Sequence, residues 1–434
     1  MFSHNIGTFK LSHALKQSLL VLAAVVVVWC ILHKALGYPA KARLITSLSV
    51  LLFFSYGLAR MRIGPEWAAH VSGVWAAGFF TAVFLVASAR RDLRATENVT
   101  ATIGAILMVT VIAPIGWSGV IGLATVRLQS EGEINPATAV RFQALAPDIY
   151  FIVVDAYGRA DTLGELYDYD NREFLGFLRG RGFFVAEKAT SQYAVTRTSL
   201  SSCLNLSYLQ KDKPTGVKRL IDWHQVESLI DDSRAERFLR RCGYKVIAFE
   251  SGIFLTELRG SDVYVRTGGT IDAFANTLLN MTPIPEFMCQ QSDTNPFNVH
   301  RARIEYLLDH IPDAAALAPA PRFVFAHIPA PRPPFVFGST GERLFPSKRF
   351  LFSDGAEVVH DGGLGYAGYA QGYRDQLAFL NSRLCGMVDA ILSRSEQPPV
   401  IILVGDHGPR PRMRLDEPGQ GLGPEAYNVL CALH

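Results

Sequence analysis

Four long uncharged stretches crowd the first 127 residues, at 17–33, 44–59, 67–89 and 98–126. Each is close to or above the ~17 residues a helix needs to cross a bilayer core. The first two are short, but Lys16, Lys34, Arg43 and Arg60 flank them, and long basic side chains snorkel to the headgroups. Pro114 predicts a kink in the fourth, which bundle neighbours tolerate. A cleaved signal peptide does not fit the first stretch, because no small-residue cleavage site is evident and three more apolar stretches follow. The expectation is therefore a membrane region of about four helices over 1–127, a linker at 128–146 and a second domain over 147–434. Four spans put the N-terminus and the large C-terminal part on one side. Short segments on that side hold Lys10, Lys16, Arg60, Arg62 and Arg127, while the opposite loops hold Lys34, Lys41, Arg43, Arg90, Arg91 and Arg94. Six basic residues against five favour a multi-pass protein of the cell membrane with an extracytoplasmic C-terminal domain.

The rest of the composition is consistent with that division. Hydrophobic residues reach 49% of the 434, and the net charge of +3 offers nothing that would hold nucleic acid. The six cysteines are scattered without a CxxC pair, which predicts free thiols rather than a zinc knuckle or a disulfide framework.

From residue 147 the apolar runs shorten to strand length. DIYFIVVD (148–155), YKVIAFE (244–250), RFVFAHI (322–328) and the run over 400–406 read as buried parallel strands. Between them, Leu377, Leu380, Leu384, Val388 and Ile391 recur at three- and four-residue steps and predict a helix over 373–394. Strands alternating with helices predict an α/β domain with a mainly parallel sheet. The proline-rich stretch around 317–334 brackets a strand and reads as turns.

Two of these strands end in carboxylates. VVDAYGR places Asp155 at a strand end, and LVGDHGPR places Asp406 there with His407 directly after it. Ligands bind beyond the carboxyl ends of strands in an open α/β sheet. Two acids and an imidazole suit a divalent ion, although any one alone could be an ordinary strand-end residue. A third segment, SQYAVTRTSLSSCLNLSYL (191–209), is dense in hydroxyls and has helical spacing at Leu200, Leu204 and Leu206. Thr196 falls just before or within its first turn. A hydroxyl there caps a helix, or it faces an anion held at the helix N-terminus and serves as a nucleophile beside a metal.

The ordered set VVDAYGR, SQYAVTRTSLSSCLN, AHIPAPRPPFVFG and ILVGDHGPR resembles the sulfatase and alkaline-phosphatase-like superfamily. The closer likeness is to its membrane-anchored branch, which includes lipoteichoic acid synthase and the phosphoethanolamine transferases. The resemblance covers roughly 147–434. It implies an alkaline-phosphatase-like α/β/α sandwich behind a few membrane helices. It also implies one divalent metal ion (Mn, Zn, Mg or Ca) held by Asp155, Asp406, His407 and Thr196. Thr196 would be the nucleophile, since Ser199 matches the family spacing three positions on, with Thr198 as the alternative. The formylglycine-forming sequence of true sulfatases is absent, which favours phosphoryl chemistry on threonine. The family commonly has a histidine in a PHPPF-like position; here the stretch is PRPPF, so Arg332 stands there, with His327 the nearest imidazole. Both are expected to meet substrate. Arginine can bind a phosphoryl oxygen but cannot act as an acid near neutral pH.

The implied activity is transfer of a phosphoryl-linked headgroup, of the phosphoglycerol or phosphoethanolamine type, from a membrane lipid to a glycolipid, a glycan or water through a phospho-threonine. The same residues also fit a sulfate- or phosphate-ester hydrolase, and Arg332 leaves open an inactive membrane protein of the same fold. The final YNVLCALH reads as the start of a strand, and relatives continue beyond it, so an incomplete sheet is expected.

Overall fold

The computed structural model describes residues 11–61, 67–90, 93, 95–102, 126–128, 146–211, 223–253, 256–268, 273–346, 349–352, 355–359, 364–412 and 423–434. Three apolar helices come first: α1 (Leu11–Leu36), α2 (Pro39–Met61) and α3 (Ala68–Ser88). Within them Leu15–Leu36, Pro39–Arg60 and His70–Ser88 are long and apolar enough to cross a membrane. Leu19, Val74 and Phe80 stand more than 60% exposed on their surface. That outward apolar face suits hydrocarbon rather than water. The expected fourth span at 98–126 lies, apart from its ends, outside the described residues. At the far end of the bundle the Lys41 ammonium donates to the Ala87 carbonyl, and Arg43 pairs with Glu97.

At the near end the bundle meets the second domain closely. The Gly57 amide of α2 donates to the Met281 carbonyl at 2.9 Å. A Cβ at Gly57 would lie 2.1 Å from the Asn280 carbonyl oxygen, so only glycine admits this approach.

The described strands are β1 (Val126–Leu128), β2 (Ile149–Val154), β3 (Phe184–Val185), β4 (Leu209–Lys211), β5 (Lys245–Phe249), β6 (Val263–Val265), β7 (Arg322–Ile328), β8 (Val400–Gly405) and β9 (Cys431–Leu433). β1 and β4 form a small antiparallel ribbon. The other seven make one sheet in the order β3-β9-β8-β2-β7-β5-β6. Pairing is parallel from β8 through β2, β7 and β5 to β6, and antiparallel at β9. The four strands expected from apolar runs are β2, β5, β7 and β8, and the C-terminal YNVLCALH supplies β9.

The near-continuous apolar strands follow from burial on both faces. Tyr150, Ile152 and Val154 of β2 point into one core, and Phe151 and Val153 into the other. The first core is covered by α6 (Gly365–Arg394), whose Leu377, Leu380, Leu384, Val388 and Ile391 are all fully buried. This helix begins eight residues before the predicted start. The second core receives Leu200 and Leu204 from α4 (Thr196–Asn205). Leu206 does not continue that helix as its spacing suggested. It is the left-handed C-cap, and it is 70% exposed. The first core also receives Phe297, Ile304 and Leu307 from α5 (Pro296–His310), entered through an Asn295 side chain that accepts from the Phe297 amide.

Register then places the chemistry. Val154 is paired with Gly405 on one side and Ile328 on the other. The next residues, Asp155 and Asp406, therefore leave the sheet side by side at its carboxyl edge.

Candidate metal centre and nucleophile

Backbone constraints hold the two acids together. Asp155 is followed by Ala156 in a left-handed conformation, φ 63°, which is uncommon for a residue with a Cβ. The turn aims the Ala156 amide at Asp406, whose Oδ1 accepts at 3.0 Å. Asp406 and His407 are themselves flanked by glycines under steric need. A Cβ on Gly405 would lie 2.5 Å from the Tyr157 carbonyl oxygen, and one on Gly408 would lie 2.0 Å from that of Glu425. The two glycines of GDHG are thus required by close backbone packing on both sides of the pair.

Four side chains converge from three strand ends. Asp155, His327, Asp406 and His407 are each at most 3% exposed. The Nε2 of His327 lies 3.4 Å from Asp155 Oδ2. The Nε2 of His407 lies 3.4 Å from Asp155 Oδ1 and 3.5 Å from Asp406 Oδ2. Ligand atoms of Asp155, His327 and Asp406 all fall within 4.8 Å of one another. Asp155 Oδ1, Asp406 Oδ2 and His327 Nε2 are buried without a hydrogen-bond partner. Buried polar atoms are rarely left so, and three on residues whose ligand atoms lie this close together fit a common partner such as a cation.

Outer hydrogen bonds prepare both imidazoles for that partner. The Thr256 hydroxyl donates its single proton to the Ile253 carbonyl at 2.8 Å, so at 3.3 Å from His327 Nδ1 it must accept. Nδ1 then carries the proton and Nε2 presents a lone pair. For His407, Nδ1 lies 2.9 Å from the Gly408 carbonyl, which can only accept, and Nε2 again faces inward. Two carboxylates and two imidazoles with inward lone pairs fit a first-row divalent ion such as zinc or manganese.

Thr196 meets this cluster. It is the first residue of α4, and its hydroxyl caps nothing in that helix. Instead Oγ1 lies 3.2 Å from His407 Nε2. The alternative hydroxyl, Thr198, is turned back to its own helix and donates to the Val195 carbonyl at 2.9 Å. Of the two hydroxyls, that of Thr196 is the one facing the cluster.

Electrostatics follow from the burial. Desolvation alone would raise Asp155, but the Arg332 guanidinium and the two imidazoles hold its carboxyl well below the usual carboxylate range. Desolvation would lower His407, yet Asp406 and Asp155 outweigh both that and Arg410, so its pKa lies above the ordinary value. A proton and a cation therefore compete for the same Nε2. Burial, with Arg332 and Arg410 nearby, pushes Arg197 down to about 10. His300 of α5 is pushed down to about 3 by burial, Arg303 and Arg332, which keeps it neutral.

Two residues expected to meet substrate have other contacts in the structure. His327 presents its Nε2 3.4 Å from Asp155 Oδ2, within the group formed with Asp155 and Asp406. Arg332 was also expected at the substrate. Its Nη1 is 3.3 Å from Asp155 Oδ2, its amide donates to the Asp155 carbonyl, and its Nη2 donates to the Phe352 carbonyl at 2.6 Å. These contacts tie it to Asp155 and to Phe352. Missing from the sequence reading were Arg197, directly after Thr196, and Arg410, whose Nη1 donates to the Ala194 carbonyl at 2.6 Å. Both stand within the motifs SQYAVTRTSLSSCLN and ILVGDHGPR, and their charge beside Thr196 and His407 was the available signal.

No family model matches the chain, and no curated protein matches it by sequence. Among solved structures it is similar to the integral membrane protein lipooligosaccharide phosphoethanolamine transferase A of Neisseria meningitidis, with 13% identity over 91% of this chain and 72% of that one, at a TM-score of 0.41. It is also similar to the C-terminal periplasmic domain of EptC from Escherichia coli in complex with Zn, with 10% identity over 72% and 75%, at 0.38. A third is the lipoteichoic acid synthase LtaP of Listeria monocytogenes, with 11% identity over 70% and 68%, at 0.37. These are proteins of the branch that the motifs resemble. Likeness at this level carries no argument about chemistry, which rests on the side chains described above.

Proposed function

We propose that the chain is a membrane-anchored, metal-dependent transferase that moves a phosphoryl-linked lipid headgroup through a phospho-threonine at Thr196. The observation that carries this reading is the approach of Thr196 Oγ1 to His407 Nε2 beside three orphaned donor atoms. Asp155, Asp406, His327 and His407 would hold the divalent ion, with Thr196 at its edge. When bound, such an ion supplies charge that favours the threonine alkoxide and offsets charge on the phosphoryl oxygens.

The protein's own groups do the rest. The first N–H groups of α4 have no partners within the helix and face an anion beside Thr196. Arg197, Arg332 and Arg410 surround the same end of the helix with positive charge, which favours the equatorial oxygens in an in-line displacement. The Oγ–phosphorus bond forms as the bond from phosphorus to the lipid's glycerol oxygen breaks, and the threonine proton leaves with that oxygen. Anchoring by α1–α3 keeps the domain beside a donor that resides in the membrane. An alcohol of a glycolipid or glycan then takes the group from Thr196, whereas water would make the enzyme a hydrolase.

The test is a product assay. Full-length protein in manganese- or zinc-containing buffer receives phosphatidylglycerol or phosphatidylethanolamine with labelled headgroups. Diacylglycerol should appear together with label on an added glycan or glycolipid. Label only in a free headgroup phosphate would assign hydrolysis, and no diacylglycerol from a metal-loaded, folded protein would sink both.

A further inference from the structure

Two cavities adjoin where the bundle meets the second domain. One, of about 630 Å³, lies among α1, α2, α3 and the segment 283–287, lined by residues such as Val21, Val25, Phe53, Phe79, Phe80 and Phe287. The other, of about 200 Å³, contains Arg60, Glu286, Arg349, Asn280 and Gln290. They are separated by one layer of side chains, since the Arg349 guanidinium sits 5.2 Å over the Tyr56 ring and Tyr56 lines the larger cavity.

The larger cavity has no polar hold on a ligand. Its polar side chains are satisfied inside the bundle. Thr46 and Ser49 donate to the carbonyls of Ala42 and Ile45, Tyr56 and Ser72 share a hydrogen bond at 2.7 Å, and Trp75 donates to the Leu52 carbonyl. Whatever fills it is apolar. Along α2 the lining runs from Thr46 to Tyr56, which at 1.5 Å per residue is about 15 Å. That is half of the ~30 Å hydrocarbon core, the depth of one leaflet.

The smaller cavity is its polar counterpart. Arg60 lies one helical turn above Tyr56, at the end of the span nearest the second domain. Arg60 and Arg349 both approach Glu286, at 3.4 and 3.0 Å, and each guanidinium side chain is only 10% exposed. Among the described residues, two guanidiniums face one carboxylate here, at headgroup depth, where a phosphate is a natural counter-ion. From Arg349 the chain reaches Phe352, whose carbonyl holds Arg332 of the catalytic cluster, within at most about 10 Å.

We propose that this junction is a phospholipid-binding site, with an acyl chain in the apolar cavity and the phosphodiester at Arg60 and Arg349. It rests on the membrane reading of α1–α3 and not on the chemistry of Thr196. It would bring a lipid phosphate to the segment that positions Arg332.

The test reads binding alone. Full-length protein is purified from nanodiscs of phosphatidylglycerol or of phosphatidylethanolamine, exchanged into detergent, and weighed intact by native mass spectrometry. One phospholipid should remain bound from either or both bilayers. Ala76→Trp, which fills the apolar cavity, and separately the pair Arg60→Gln with Arg349→Gln, should each lower retention at least fivefold, in proteins whose thermal unfolding matches the parent. No retained lipid in the parent from either bilayer, or retention unchanged in both folded variants, overturns the proposal. Because no turnover is measured, failure here leaves the transferase reading to its own assay.

Discussion

Two buried polar clusters lie close together in the second domain, and they are built on opposite rules. In one, Tyr157 donates to Asn381 Oδ1 at 2.7 Å, Asn171 donates to the Tyr157 hydroxyl at 3.1 Å, and Asn381 donates to Asn171 and to the Tyr169 hydroxyl. Every group has a partner within the protein. In the other, Asp155, His327 and Asp406 keep an atom each without one. A closed network is a fastening for the core, whereas a cluster with converging open atoms is a socket. Burial and polarity are common to both, so satisfaction is what separates structure from site.

That contrast predicts opposite mutational signatures, the largest in the socket. Thr196→Ala should lower transfer at least ~1,000-fold, as loss of a nucleophile does, while Tm stays within about 2 °C. Asp406→Asn should weaken metal binding at least ~100-fold, read by titration calorimetry, with metal-free stability changed by no more than about 1 kcal/mol. Asn381→Ala should reverse the pattern. It leaves Tyr157 and Asn171 short of partners inside the core and should cost about 2 kcal/mol in denaturant unfolding, with metal affinity unchanged. If Asn381→Ala removed metal binding and Asp406→Asn removed stability, the distinction would be wrong.

His300 gives a pH signature of intermediate size. Folded, it titrates at about 3, against 6.5 for the free side chain. Below 6.5 the unfolded chain takes up a proton that the folded chain refuses. Its contribution is therefore fully present above pH 6.5 and is lost as pH falls towards 3, by up to about 1.4 kcal/mol per pH unit. His300→Phe should flatten that slope in the metal-free protein, and a slope unchanged by the substitution would show that His300 is not held neutral. The smallest effect serves as a control. The Arg172–Asp170 pair is exposed on both sides, so Arg172→Ala should change neither stability nor transfer measurably.

What could be read in advance followed local chemistry. Continuous apolar runs located β2, β5, β7 and β8, because strands buried on both faces need no alternation. Asp406 and His407 were legible because an acid and an imidazole after such a run are exceptional. The role of His327 was not, since it depends on a hydroxyl 71 residues away whose proton is committed to the Ile253 carbonyl. Thr196 was preferred over Thr198 only through the spacing to Ser199, whereas which hydroxyl faces His407 depends on where α4 starts. Gly57 gave no signal at all, being one small residue in an apolar helix, yet the docking of the bundle depends on it. Contacts between distant segments carry this information, and a single sequence does not display them.

The account rests on Thr196 as the covalent carrier, and that is directly measurable. Full-length protein loaded with manganese or zinc, incubated briefly with headgroup-labelled phospholipid and quenched in acid, can be digested and the peptide spanning 192–205 examined by mass spectrometry. The account predicts the mass of the phosphoryl-linked headgroup on Thr196, absent in Thr196→Ala and after chelation. Turnover of the same lipid with Thr196 unmodified, or modification at Thr198 instead, would contradict it.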